Sequence, residues 1–129
     1  MQKIFQFFWP FLISAGCATG QGHVNPFPPI KDLSNSSEIT VKRDDAFMGS
    51  AQTFTLTIDN KDIYMFRSGD IISFKLDPGE HFFGVKCHGG WQMTGNYTEL
   101  AQEIKPNHKY IFRIIPDMSR GCRIERSSQ

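Results

Sequence analysis

Short segments in which apolar and polar residues alternate recur along most of this chain. In the segment 53–58, for example, Phe54, Leu56 and Ile58 alternate with threonines. A period of two residues, with many β-branched and aromatic side chains, is typical of a half-buried β-strand. The segments with this character are 39–43, 53–58, 63–66, 71–76, 81–87, 98–104, 109–115 and 120–126. They predict an all-β antiparallel sandwich or barrel of about seven or eight short strands.

Turn-forming residues separate these segments. Asp59 and Asn60 tolerate the left-handed backbone that tight hairpin turns require. Pro116 is expected to stop the strand before it, because proline has no backbone N–H to donate. The residues 89–97 are predicted to form a loop, and the residues 98–104 either a strand or a short helical turn.

The first 16 residues have the character of a secretory signal peptide. Lys3 gives a positive start, the run 4–13 is almost wholly apolar, and small residues follow it. As a helix the apolar run would span about 15 Å, whereas a bilayer core is about 30 Å thick. A signal peptide over residues 1–16 is therefore predicted, and not a membrane-spanning helix.

The signal ends in Ser14-Ala15-Gly16-Cys17, which resembles the lipobox of bacterial lipoproteins. The resemblance implies that cleavage makes Cys17 the first residue and that lipid attached there holds the protein to a membrane. Ala18 stands where an aspartate would retain a Gram-negative lipoprotein at the inner membrane, so the expected location is the outer membrane, facing the periplasm. An ordinary signal peptide followed by a chance cysteine is the alternative.

The chain has three cysteines, an odd number, so in an exported protein one of them would lack a disulfide partner. Acylation of Cys17 leaves Cys87 and Cys122, which an oxidising periplasm would allow to join. The loop closed by that disulfide has 122 − 87 = 35 residues, and the chain-entropy model gives roughly 3–4 kcal/mol for it. Two free, buried thiols are the alternative.

The residues 17–37 are predicted to form a tether, and the residues 38–129 the folded domain. The tether is rich in proline and glycine, which favours an extended path that holds the domain off the lipid surface. A second hypothesis is that its apolar side chains bind a partner. These side chains are Val24, Phe27, Ile30 and Leu33.

Two motifs in the domain resemble PEGA-type domains and related small envelope lipoproteins. They are Thr57-Ile58-Asp59-Asn60 and, some 20 residues later, Leu76-Asp77-Pro78-Gly79-Glu80-His81, followed by Val85. The resemblance implies an immunoglobulin- or transthyretin-like sandwich. It further implies a role in scaffolding or binding, with no catalytic centre.

The residue types that carry chemistry have no arrangement that predicts an enzyme, a metal or a cofactor. The candidate metal ligands His81, Cys87, His88 and His108 lack the close spacing of zinc motifs. Cys87 and His88 are neighbours on a predicted strand, so their side chains point to opposite faces. A net charge of +1 gives no indication of nucleic-acid binding.

The segment Gly89-Gly90-Trp91-Gln92-Met93, close to Tyr97, is the remaining candidate for binding. Exposed aromatic rings mark protein interfaces and sugar platforms. The alternative is that Trp91 folds back and caps one end of the sandwich. The sequence thus predicts a non-catalytic structural or accessory subunit of a cell-envelope assembly, such as a secretion-system outer-membrane complex. A module that binds cell-wall glycan through Trp91 and Tyr97 is the second hypothesis.

Overall fold

The computed structural model describes residues 22–44, 53–88, 96–117 and 121–127. Within these ranges the chain forms eight strands in two four-stranded sheets, which confirms the predicted all-β sandwich. A 3-10 turn, Leu33–Asn35, precedes the first strand. The strands are β1 (Ser37–Arg43), β2 (Thr53–Ile58), β3 (Lys61–Phe66), β4 (Ile71–Leu76), β5 (Gly79–His88), β6 (Asn96–Ile104), β7 (Lys109–Asp117) and β8 (Gly121–Ser127).

The order of the strands is β4-β1-β7-β8 in one sheet, named sheet I, and β3-β2-β5-β6 in the other, named sheet II. This order differs from the constant-type immunoglobulin arrangement, in which the first, second, fourth and fifth strands share a sheet. Neighbouring strands are antiparallel except β1 and β7, which are parallel, from the pair Glu38 and Lys109 to the pair Arg43 and Ile114. Alternation along a strand reports which face is buried, so it could not predict this parallel pair.

The core lies between the sheets and is built from the apolar residues of the alternating pattern. At its centre the rings of Phe83 and Phe112 stack with centroids 4.4 Å apart, one from each sheet. The buried apolar residues are Ile39, Val41, Phe54, Leu56, Ile58, Ile63, Phe66, Phe74, Leu76, Phe83, Val85, Cys87, Ile104, Tyr110, Phe112, Ile114, Cys122 and Ile124.

Two predictions about strand boundaries are wrong. Pro116 does not stop β7, which continues to Asp117 and pairs with β8 there. The pairing of β7 with β1 ends at Ile114, so among the described residues this last part of β7 has a neighbour on one side only, where proline is tolerated. Tyr97 lies in β6 and not in a loop, and the residues 98–104 form a strand.

The hairpin between β2 and β3 is turned by Asp59 and Asn60 alone. Both have positive φ, 51° and 67°, as in the two-residue type I′ turn that matches the twist of antiparallel strands. The predicted turn is confirmed.

The disulfide between Cys87 and Cys122 is present and joins the two sheets, because Cys87 is in β5 and Cys122 in β8. The Cα atoms are 5.9 Å apart, within the usual range for a disulfide. Both side chains are buried. The pairing expected from the cysteine count is therefore confirmed, and the bridge ties the sandwich across its core.

Candidate functional site

The surface of sheet II that points away from the core carries the main candidate for binding. Its side chains lie in rows across the four strands, in the register set by β2, β3, β5 and β6. We call this surface the outer face of sheet II. It is formed by Thr55, Thr57, Asp62, Met65, Phe82, Gly84, Lys86, Tyr97, Glu99 and Ala101.

Tyr97 lies flat on this face because β5 has a glycine beneath it. A Cβ on Gly84 would collide with the Tyr97 hydroxyl and with Thr57 Oγ1. Only glycine at this position leaves room for the Tyr97 ring. The hydroxyl donates to Glu99 Oε2 at 2.8 Å and lies 3.2 Å from Thr57 Oγ1. Burial is the main cause that raises the pKa of Tyr97 above 10.0. One side of the ring is thus held by the sheet while the other is open.

Three large apolar side chains are exposed on the outer face of sheet II. The exposed fraction is 40% for Met65, 39% for Phe82 and 43% for Tyr97. The same face also carries an ion pair between Lys86 Nζ and Asp62 Oδ1, which are 2.8 Å apart. Exposed apolar groups beside a satisfied polar pair are typical of surfaces that bind another protein.

The outward surface of sheet I has a different character. Arg113 of β7 forms ion pairs with Asp44 and Glu125, and Arg123 lies 3.4 Å from the same Glu125 carboxylate. Nearby, Thr40 and Ser73 share a hydrogen bond of 2.9 Å. Paired charges and polar groups dominate this surface, and among the described strand residues of sheet I only Ile71 is a strongly exposed large apolar side chain. Sheet II exposes three such side chains and is therefore the better candidate for binding.

His81 joins the two motifs that the sequence analysis identified. Its Nδ1 lies 2.7 Å from Asp59 Oδ2, and its Nε2 lies 2.9 Å from the carbonyl oxygen of Asp77. Asp59 also accepts the N–H of Phe82 at 2.9 Å through its other oxygen. Since both ring nitrogens face acceptors, the imidazole is engaged in holding two turns together.

Arg43, at the end of β1, is a buried cation whose contacts join neighbouring strands. Its guanidinium lies 4.1 Å from the ring centroid of Phe54, and one of its nitrogens donates to the carbonyl oxygen of Phe66 at 3.0 Å. Burial lowers the pKa of Arg43 below its ordinary value, and the charge of Asp70 opposes that shift. These contacts link β1 to β2 and β3 at one end of the sandwich.

Phe27 lies at the edge of the sandwich and packs against the domain. Its ring stacks on Phe74 of β4 with centroids 4.5 Å apart. Beside it, an open cavity of about 200 Å³ separates the proline-rich segment from the β2–β3 turn. That volume is below the range of roughly 300–1,000 Å³ usual for small-molecule sites. The cavity is lined by Pro26, Phe27, Pro28, Pro29, Ile58, Asp59 and Lys61.

Two of the candidate binding residues from the sequence, Tyr97 and Phe27, lie far apart. Tyr97 is on β6 and Phe27 lies beyond β3, at the opposite edge of sheet II. Trp91 and the lipidation candidate Cys17 lie outside the described residues. Sequence reasoning missed Phe82 and Met65. For Phe82 a signal exists, because Phe82 and Phe83 are adjacent on one strand and only one of them can face the core.

Comparisons with protein-family models and with curated proteins find no match for this chain. In the part of the chain that the structure describes, no helix is long and apolar enough to cross a bilayer. The same residues contain no cluster of three or more histidine, cysteine or acidic side chains that could hold a metal ion.

Proposed function

We propose that this protein is a lipid-anchored lipoprotein of the bacterial outer membrane that faces the periplasm. Its sandwich serves as a non-catalytic structural or accessory subunit of a cell-envelope protein assembly, for example a secretion-system outer-membrane complex. The observation that carries the proposal is the outer face of sheet II, where Met65, Phe82 and Tyr97 are exposed together.

The anchor in this proposal is supported by the sequence at the start of the chain. The motif Ser14-Ala15-Gly16-Cys17 places small residues before a cysteine, and Ala18 favours the outer membrane. The pairing of Cys87 with Cys122 supports it further, since this leaves Cys17 available for lipid and fits an oxidising compartment.

A protein partner is favoured over a small molecule by the shape of the candidate site. The outer face of sheet II is a strand surface without a described cavity, on which Met65, Phe82 and Tyr97 are exposed, whereas the described cavity of about 200 Å³ is at the other edge of the sheet. Tyrosine, phenylalanine and methionine are enriched at protein interfaces. The Lys86–Asp62 pair would give such an interface a polar contact that fixes its orientation.

Site-specific photo-crosslinking in cells tests the proposal. A photoreactive phenylalanine analogue replaces Phe82 on the outer face of sheet II, and a matched control carries it at Lys75, which is exposed on sheet I. We expect ultraviolet light to link the Phe82 variant to a discrete envelope protein, and the Lys75 variant to give much less product.

Two readouts keep the parts of this proposal separate. The mass of the mature protein should show fatty-acyl groups on Cys17, and an unmodified first residue would refute the anchor. Equal crosslinking from Phe82 and Lys75, or none from Phe82, would refute the binding face while leaving the anchor in place.

Binding of cell-wall glycan is the second candidate, and the open side of the Tyr97 ring favours it, because aromatic rings stack on sugars. In this case isolated peptidoglycan should retain the protein, and Tyr97→Ala or Trp91→Ala should release it. Retention that neither substitution weakens would remove this candidate.

A further inference from the structure

The segment before β1 is attached to the edge of sheet II. The carbonyl oxygen of Gly22 accepts the N–H of Met65 at 2.7 Å, and His23 forms a β-bridge with Tyr64. The Asn25 side chain donates to the carbonyl oxygen of Asp62 at 2.8 Å. These bonds place residues 22–25 alongside β3, at the edge of sheet II.

Side chains fix the same segment to both sheets. The ring of His23 meets the rings of Phe27 and Tyr64 edge-on, at centroid distances of 4.8 and 5.2 Å. Phe27 reaches across to Phe74 of sheet I. Further along, the Asp77 carboxylate accepts the backbone N–H groups of residues 31 and 32 at 2.9 and 3.2 Å. The residues 22–32, named the docked segment, thus follow the sandwich along its length.

The direction of the docked segment decides where the rest of the N-terminus leaves the domain. It runs antiparallel to β3, so Gly22 lies near the end of the sandwich where β3 stops at Phe66 and β4 begins at Ile71. We call this the β3–β4 end. The 3-10 turn Leu33–Asn35 lies at the opposite end, beside the start of β1.

Docking leaves a short link between the domain and the lipidation candidate. Four residues lie between Cys17 and Gly22, so 22 − 17 = 5 Cα–Cα steps join them. An extended chain spans at most about 3.3–3.6 Å per residue, which gives about 17 Å in all. A tether free up to residue 37 would reach about four times as far. The docked segment therefore restricts both the distance and the orientation available to an anchored domain.

We propose that the β3–β4 end of the sandwich faces the phospholipid surface, with residues 67–71 against the headgroups. The inference rests on the proposed acylation of Cys17. The chemistry of this end fits, since Ile71 exposes an apolar side chain and Arg67, four residues before it, is exposed. Apolar side chains that enter the interface, next to a cation that meets phosphate, are typical of membrane-surface contacts.

Depth-dependent fluorescence quenching on the acylated protein tests this orientation. The full mature protein is purified from bacterial membranes and placed in vesicles of phosphatidylethanolamine and phosphatidylglycerol. A fluorophore is attached at Ile71→Cys or, as the matched control, at Leu33→Cys. These two positions are similarly exposed, 63% and 68%, and lie at opposite ends of the sandwich. A phospholipid with a nitroxide high on its acyl chain is the quencher.

We expect the label at Ile71→Cys to be quenched at least about twofold more than the label at Leu33→Cys, because interfacial side chains reach only about 5–10 Å into the bilayer. Flotation with the vesicles is measured first. A protein that does not float refutes the anchor and the orientation together. A protein that floats but shows equal quenching at both positions, or more at Leu33→Cys, refutes the orientation alone.

A second variant tests whether the docked segment sets the orientation. Asn25→Ala with Phe27→Ala removes one hydrogen bond to β3 and the stack on Phe74. The variant should keep its circular dichroism spectrum and still float, while the quenching ratio falls towards one. An unchanged ratio would show that docking does not orient the domain.

Discussion

Asp59 both forms a turn and binds a distant part of the chain. Its positive φ forms the β2–β3 turn, and its carboxylate binds His81 and the N–H of Phe82, 22 and 23 residues further along the chain. The hairpin is therefore fixed to the beginning of β5 as well as closed locally. Although the Asp59 side chain is 44% exposed, its two oxygens hold one end of sheet II together.

Tyr97 is expected to make the fold less stable at alkaline pH. Burial raises its folded pKa above 10.0, the ordinary value that the unfolded chain has. The unfolded chain then loses the proton first, so stability is full below pH 10 and falls as the pH rises through the folded pKa. Urea unfolding at a series of pH values should show a steeper loss above pH 10 for the wild type than for Tyr97→Phe.

Burial also raises the pKa of Tyr64, so Tyr97→Phe should reduce the alkaline loss without removing it. A difference titration at the absorbance of tyrosinate, wild type minus Tyr97→Phe, reports Tyr97 directly. A midpoint for Tyr97 below 10.0 would contradict the environment described here.

The sequence identified Tyr97 as an exposed aromatic residue but gave it the wrong setting. Its position near two glycines favoured a loop, whereas pairing with β5 places it in a strand. The contact with Gly84 could not be predicted, because it depends on the register between β5 and β6.

At the level of secondary structure, the docked segment covers the exposed edge of sheet II. β3 is the edge strand of sheet II, and unpaired backbone groups on such an edge invite pairing with other chains. Gly22 and Val24 satisfy backbone groups of Met65 and Ile63. The prolines that follow cannot extend the pairing, so the edge is covered and ends there.

Phe27→Ala should destabilise the domain by about 1–2 kcal/mol, less than for a fully buried phenylalanine because Phe27 is half-buried. Its ring closes the gap between Phe74 of sheet I and His23. Leu33→Ala is the control, since Leu33 is exposed and should change the free energy of unfolding by less than about 0.5 kcal/mol. Chemical denaturation followed by circular dichroism measures both. Equal effects of the two substitutions would show that the docked segment adds no stability.

Strands were the elements best predicted from sequence. The segments 53–58 and 71–76 match β2 and β4 residue for residue, because alternation and turn residues are local signals. The docking of residues 22–32 was not predicted. The proline-rich composition of this segment indicates an extended chain but not the surface on which that chain packs. The parallel pairing of β1 with β7 is a long-range choice that no local pattern encodes.

At the scale of the whole molecule, the disulfide adds a covalent link between sheets that also meet through apolar packing and through the contacts of Arg43. Replacing both Cys87 and Cys122 with alanine should lower the free energy of unfolding by about 3–4 kcal/mol, as expected for a closed loop of 35 residues. Urea unfolding with and without reductant measures the loss. Reductant should bring the wild type close to the double variant and leave the double variant unchanged. A wild type that is insensitive to reductant after full unfolding and refolding would contradict this role.

The parallel pair also bears on how the chain folds. β1 is the first of the described strands, yet one of its two neighbours, β7, lies 109 − 38 = 71 residues later at the paired positions Glu38 and Lys109. Pairings so distant in sequence form slowly. Until β7 is in place, β1 presents an unsatisfied edge, and a holding chaperone would find its natural target there.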